Sequence, residues 1–245
     1  KFIGHEVNGA KRWIKIGPIQ FQSAEPAKLA IILFISVLIL KLGRQMKGLK
    51  VPLIVATFGA ITFFLTWQFT ENMSTALIIM GITCILIFVA HPKTRPFLIL
   101  GCGGLAGAVI GLRILVSNIG TSDSFRLNRI LVWLDPEKYS DNGGYQVLQG
   151  LYAIGSGGLF GQGLGQSIQK LGFLPESQND MIFAVICEEL GLFGAVSIIL
   201  IFLFMIYRFM IIANNAPDLF GALLVVGVMG HIAIQVILNI AVVTN

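Results

Sequence analysis

The sequence predicts an all-α polytopic membrane protein, a bundle of about six transmembrane helices with one long extracytoplasmic loop. Three observations carry that prediction. Of the 245 residues, 56% are hydrophobic and only 12% charged, where a soluble domain carries about a quarter charged. Mean hydropathy is +0.84. Apolar runs near the ~20 residues that a helix needs to cross the hydrocarbon recur along the chain. Backbone groups in lipid must bond within the protein, which favours helices, and the even apolar texture gives no period-two signal for a barrel.

The first segment, 1–25, is polar and opens on "KFIGHEVNGAKRW" with neither Met nor signal peptide. The chain closes as abruptly on "AVVTN", so a fragment of a longer bundle is expected. Spans follow at 26–42, 51–67, 75–90, 97–116, 181–206 and 218–242. The loop "KLGRQMKGLK" holds Lys41, Arg44, Lys47 and Lys50 with no acid, and "HPKTRP" holds Lys93 and Arg95 with none. By the positive-inside rule both face the cytoplasm. Alternation then puts 1–25, 69–74 and 117–180 outside. The expected organisation is one membrane domain: an extracytoplasmic segment 1–25, four helices over 26–116, a large extracytoplasmic loop 117–180 and two helices in 181–245.

Several function classes drop out. Cys84, Cys102 and Cys187 lie in or beside apolar segments without paired spacing, which argues against a disulfide framework or zinc site. The net charge of +5 gathers at membrane edges, so nucleic acid is not the partner it indicates. The glycine-dense stretch "AIGSGGLFGQGLGQSIQKLGF" has neither dinucleotide nor phosphate-loop spacing and follows no strand. Its glycines suit tight turns and close backbone packing at the membrane surface.

Charges near hydrocarbon need partners or roles. Glu25 and Lys28 stand three apart, so they meet on one helix face, as an anchoring ion pair or as a ligand site. Arg113 lies one turn inside its span, placed to snorkel or to meet an anion. Glu188 and Glu189 begin roughly 12 Å below Asp180 at 1.5 Å per helical residue, which the span 181–206 puts near mid-membrane. Adjacent residues diverge by about 100°, so one partner cannot serve both glutamates. Asp180 ends the loop just before "MIFAVI". It is placed either to cap that helix or, with Arg12, Lys28, Arg113, Arg126 and Arg129 at the same level, to work beside a phosphorylated headgroup.

At this point the residues match a known family. "GAKRWIKIGPIQFQSAEPAKLA" (9–30) resembles GARRWI…FQPSEFAKLA, and 129–191, from "RILVWLDPEKYSDNGGYQVLQG" to "FLPESQNDMIFAVICEELG", resembles the signature outer loop and following helix of SEDS proteins. These are the shape, elongation, division and sporulation membrane proteins of bacteria. The wording "GLGQSIQKLGFLPES" is nearer the division and spore-cortex branches (FtsW, SpoVE) than the rod-elongation branch (RodA).

The resemblance implies a peptidoglycan glycosyltransferase of the bacterial cytoplasmic membrane that polymerises lipid II on the extracytoplasmic side, working with a class B penicillin-binding protein. The family's essential acid carries over to Asp180. Arg12 and Trp13, Glu25 and Lys28, and Glu176 and Gln178 fall on family motif positions and are the expected substrate-binding residues, together with Arg126 and Arg129. No cofactor is expected, although a divalent cation would suit the pyrophosphate. Two departures stand out: the family's His before the acid is Gln178 here, and its PDLGTA reads "ENMSTA" with Asn72 in place of the acid. A lipid II flippase and a non-catalytic scaffold for a transpeptidase are the alternative functions.

Overall fold

The computed structural model describes residues 5–7, 10–16, 19–43, 48, 50–70, 72–93, 131, 132, 135–139 and 144–244, with positions between 95 and 111 at intervals. Three short strands open the chain: β1 (His5–Val7), β2 (Ala10–Ile16) and β3 (Ile19–Gln22), an antiparallel meander in the order β1-β2-β3. Trp13 pairs with Gln22 and Ile16 with Ile19. The helical reading of the spans stands. The meander lies ahead of them, in the segment 1–25, where the search for ~20-residue runs was blind to strands of three to seven residues.

Helices α1 (Ala24–Leu42), α2 (Lys50–Thr70) and α3 (Met73–Ala90) come next, then α4 (Gly144–Gly157), α5 (Ile182–Asn214) and α6 (Leu219–Thr244). Among the described residues α2, α3, α5 and α6 are long and apolar enough to cross a membrane. α1 is equally placed but carries Glu25, Lys28 and Lys41 within its 19 residues. Positions described between 95 and 111 are helical, and those from 97 onward fall within the fourth predicted span. Asn72 caps α3, its side chain accepting the Thr75 amide at 3.1 Å. Asn72 thus has a helix-starting role.

The contacts divide the chain into two compact units, Lys1–Leu100 with Met205–Gln235, and Gly101–Phe204 with Val236–Asn245. In the first, α1, α2 and α3 pack around Ile32, Ile35, Ile39, Val55, Ile79, Ile82 and Leu86, all essentially inaccessible. Helix association in lipid relies on close packing, because acyl chains are as apolar as leucine. Gly59 accordingly lies so near Thr83 that a Cβ would fall 2.5 Å from its methyl. Gly227 on α6 meets Ile32 of α1 just as tightly.

In the second unit a core of Ala153, Leu174, Met181, Phe183, Ala184 and Cys187 joins α4, the following loop and the start of α5. The expected loop 117–180 therefore contains a helix, α4, and a 3-10 turn at Gln169–Leu171. α5 is broken at Gly191, which has φ +66°. The backbone bonds freed by the break are taken up by the glycine-rich segment. Gln162 and Gly163 donate to the carbonyls of Glu188 and Glu189 at 2.9 and 3.0 Å, while the amides of Leu192 and Phe193 donate to Gly158 and Leu159 at 2.9 and 3.1 Å. Four inter-segment bonds thus take over from two helical ones.

The break revises the depth expected for the glutamates. Residues 192–214 rise about 34 Å at 1.5 Å per residue, already enough for a hydrocarbon core of about 30 Å. Counting about 20 residues back from Arg208, the next charged residue along α5, reaches Glu188 and Glu189. The pair belongs at the membrane boundary and not at its middle.

Candidate active site

The turn that leads into α5 is built around Asp180. Leu174 and Met181 are buried at its two ends, 3% and 0% exposed, and act as anchors. Between them the chain folds back on Glu176, whose carbonyl accepts the amides of Asn179 at 3.0 Å and Met181 at 3.3 Å. Glu176 has φ +52°, a left-handed conformation uncommon outside glycine. Its carboxylate takes a hydrogen bond from Asn179 Nδ2 at 2.7 Å. Gln146 of α4 clasps the turn from the other side, donating to the Pro175 carbonyl at 3.3 Å.

The result is that Asp180 is exposed, as are Glu176 and Gln178. Its main-chain carbonyl is held by Asn239 Nδ2 of α6 at 3.1 Å. Among the described residues nothing bonds its carboxylate, and no amide of α5 is capped by it. The backbone is fixed while the acid itself stays available, the arrangement a reacting group needs. Asn239 is a residue the sequence reading missed. It lies 59 positions away in the chain, inside a run that reads as an ordinary span.

Glu188 and Glu189 turn out to hold the loop. The buried carboxylate of Glu188 accepts the Ser167 hydroxyl and the amides of Ile168 at 3.1 Å and Gln169 at 3.5 Å. Glu189 accepts Lys170 Nζ and the Gly165 amide, the latter at 2.9 Å. Two different partner sets serve the two acids, as their divergent directions require. Their common effect is to strap 165–170 onto α5.

The first unit carries its own polar group. Lys28 is 1% exposed and pairs with the half-exposed Glu25 at 2.9 Å. Its ammonium also reaches Gln235 Oε1 of α6, at 3.5 Å. His231 lies one helical turn before Gln235, close enough to feel both charges, and its Nε2 is buried without a hydrogen-bond partner among the described residues. Arg12 and Trp13 lie on β2. Arg113, Arg126 and Arg129 lie outside the described residues.

Comparison with known proteins identifies the family. The profile of the FtsW/RodA/SpoVE cell cycle proteins matches residues 1–245. The chain belongs to this family. Among the FtsW/RodA/SpoVE relatives, it is 38% identical over 243 residues to stage V sporulation protein E of Bacillus subtilis, covering 99% of this chain and 64% of that protein. It is 37% identical to a probable peptidoglycan glycosyltransferase FtsW of Trichlorobacter lovleyi, covering 99% of this chain and 62% of that protein. The chain thus spans less than two thirds of the length of these relatives. A solved peptidoglycan synthase complex, described for its structural coordination of polymerization and crosslinking, matches with a TM-score of 0.70 at 25% identity, over 98% of this chain and 65% of the other. The crystal structure of the rod shape determining protein RodA of Thermus thermophilus shares the fold, with a TM-score of 0.55 at 22% identity over 99% of this chain and 60% of that one. The family is the one that the motifs at 9–30 and 129–191 resemble, and a multi-pass membrane protein is what the composition predicts.

Proposed function

We propose that the protein is a peptidoglycan glycosyltransferase that polymerises lipid II on the extracytoplasmic face of the bacterial cytoplasmic membrane, with Asp180 as its base. The observation that carries this reading is the exposed carboxylate of Asp180, without a partner among the described residues, on a turn whose backbone is tied down at both ends. The names of the curated relatives support the reaction, and the positive-inside pattern supports the side.

The chemistry is an inverting transfer. Asp180 takes the proton from a sugar 4-hydroxyl as that oxygen attacks the anomeric carbon of a second, pyrophosphate-linked sugar. The C–O bond to pyrophosphate breaks, a β-1,4 bond forms, and the lipid pyrophosphate leaves with the electron pair. This is the logic of an inverting glycosidase with a sugar hydroxyl in place of water. Arg12, Lys28, Arg126 and Arg129 are assigned to the departing pyrophosphate, where cations stabilise the developing charge. Trp13, Glu25, Glu176 and Gln178 are assigned to the rest of the substrate, and a class B penicillin-binding protein is the proposed partner.

A flippase would need Glu188, Glu189 and Arg113 as the lining of a polar path. Both glutamates are engaged in holding the loop, which leaves that path without its acids. The deciding experiment uses the full-length protein with its partner and labelled lipid II. The wild type forms glycan polymer and Asp180→Asn forms none while remaining folded. Normal polymer from the variant removes Asp180 from catalysis, translocation without polymer establishes the flippase, and cell-wall synthesis that survives the variant establishes the scaffold.

A further inference from the structure

Residues 158–173 carry six large apolar side chains that the fold does not bury: Leu159, Phe160, Leu164, Ile168, Leu171 and Phe173, between 52% and 82% exposed. So many on one short loop mark an interaction surface. We infer that this loop is an interfacial anchor that lies in the bilayer at the boundary between headgroups and acyl chains, on the side of the membrane where Asp180 stands.

Four observations support lipid as the occupant. The loop is joined edge to edge with the lipid-facing surface of a spanning helix. Leu192 and Phe193 begin the long arm of α5 and are 57% and 72% exposed, and their amides bond the carbonyls of Gly158 and Leu159. Exposed apolar side chains of helix and loop therefore stand on directly bonded backbone. The depth agrees, because residues 188–193 fall at the membrane boundary when the span is counted from Arg208. Charge agrees too: Lys170 is the loop's sole charged residue, and Glu189 neutralises it. Lastly, irregular backbone is admitted at membrane depth only where its polar groups find partners in protein. Here the amides of Gly161, Gln162, Gly163, Gly165, Ile168 and Gln169 all do, on Gly157, Glu188 and Glu189. An apolar face on a non-spanning segment ordinarily sinks about 5–10 Å into the headgroup boundary. Such an anchor holds the turn bearing Asp180, which begins directly after Phe173, at a set height over the membrane surface.

The test uses the full-length protein in vesicles of phosphatidylethanolamine and phosphatidylglycerol, in a background with its native cysteines replaced by alanine. An environment-sensitive fluorophore is placed at Phe160→Cys and, separately, at Leu164→Cys. Both side chains are mostly exposed, 82% and 76%, so neither label displaces core packing. Controls sit at Leu200→Cys on the exposed face of α5 and at Asp218→Cys on the exposed turn before α6. The expected result at 160 and 164 is strong quenching by lipids spin-labelled near the headgroup, weaker quenching by lipids labelled deep in the chain, and shielding from aqueous iodide. Iodide quenching equal to that at position 218 would place the loop in water and overturn the inference. Shielding that appears only when the partner transpeptidase is added, with no lipid quenching, would make it a protein-docking surface and overturn it equally.

Discussion

Asn239 Nδ2 donates to the main-chain carbonyl of Asp180 at 3.1 Å, so α6 positions the turn that bears Asp180 without touching its carboxylate. A bond of this kind contributes about 1 kcal/mol to stability, yet displacement of a reacting group by about 1 Å can lower a rate about a hundredfold. Asn239→Ala is therefore expected to reduce polymerisation by one to two orders of magnitude while the melting temperature moves by only a few degrees. The loss should appear in turnover more than in the lipid II concentration for half-maximal rate. A change confined to that concentration would make Asn239 a binding residue and not a positioning one.

A second expectation concerns Lys28. Its ammonium is buried and is stabilised by Glu25 and Gln235. Removing one member of such a pair leaves an uncompensated charge, which costs more than removing the charge itself. Glu25→Ala should thus lower the thermal stability of the detergent-solubilised protein more than Lys28→Met does, and Lys28→Met should restore much of the loss in the double variant. Both single variants are expected to polymerise poorly. Additive losses in the double variant would show that the pair is not coupled.

The strap on α5 makes a third. Glu188 accepts three hydrogen bonds from 167–169, so Glu188→Ala leaves two amides and a hydroxyl without partners, at roughly 1–3 kcal/mol each where water cannot reach them. Hydrogen exchange of residues 163–171 should accelerate by an order of magnitude or more, while α1 to α3 keep their protection. Glu188→Gln retains an acceptor and should show an intermediate rate. Equal exchange in all three proteins would mean that the loop is held by its backbone bonds alone.

How much of this was written in the sequence differs by residue. The spans were legible because lipid imposes length and apolarity on contiguous residues, and Asp180 stood out as an acid at the edge of such a run. The motif match then gave it a role. The contacts that fix it were not legible: Asn239 and Asp180 are 59 residues apart, and Lys28 and Gln235 are 207 apart. Glu188 and Glu189 read as intramembrane charges because the predicted span 181–206 conceals a helix break. The signal existed, since Gly191 follows "CEEL" and the glycine-dense segment precedes it, but composition cannot tell a packing glycine from one at φ +66°. The meander at 5–22 was missed because its strands are shorter than the feature sought.

The glycines at that break allow the sharpest prediction. Three of them are required by space and one is not. A Cβ on Gly157 would collide with the carbonyl of Cys187, and one on Gly161 with the carbonyl of Glu189. One on Gly191 would meet Leu159 main-chain atoms at 2.6 Å, with a left-handed φ adding strain. None of these neighbours is a side chain able to turn aside. Alanine at 157, 161 or 191 should therefore disrupt the exchange of backbone bonds between 158–163 and α5, costing several kcal/mol by overpacking and lost bonds. Gly155 is the internal control. It lies in α4 with nothing within 4 Å of its would-be Cβ, so Gly155→Ala should be neutral or stabilising by about 0.5–1 kcal/mol through helix propensity. Yield and melting temperature of the four purified variants decide the matter. Wild-type behaviour of Gly161→Ala together with that of Gly191→Ala would mean that the break in α5 is not held by the glycine-rich segment.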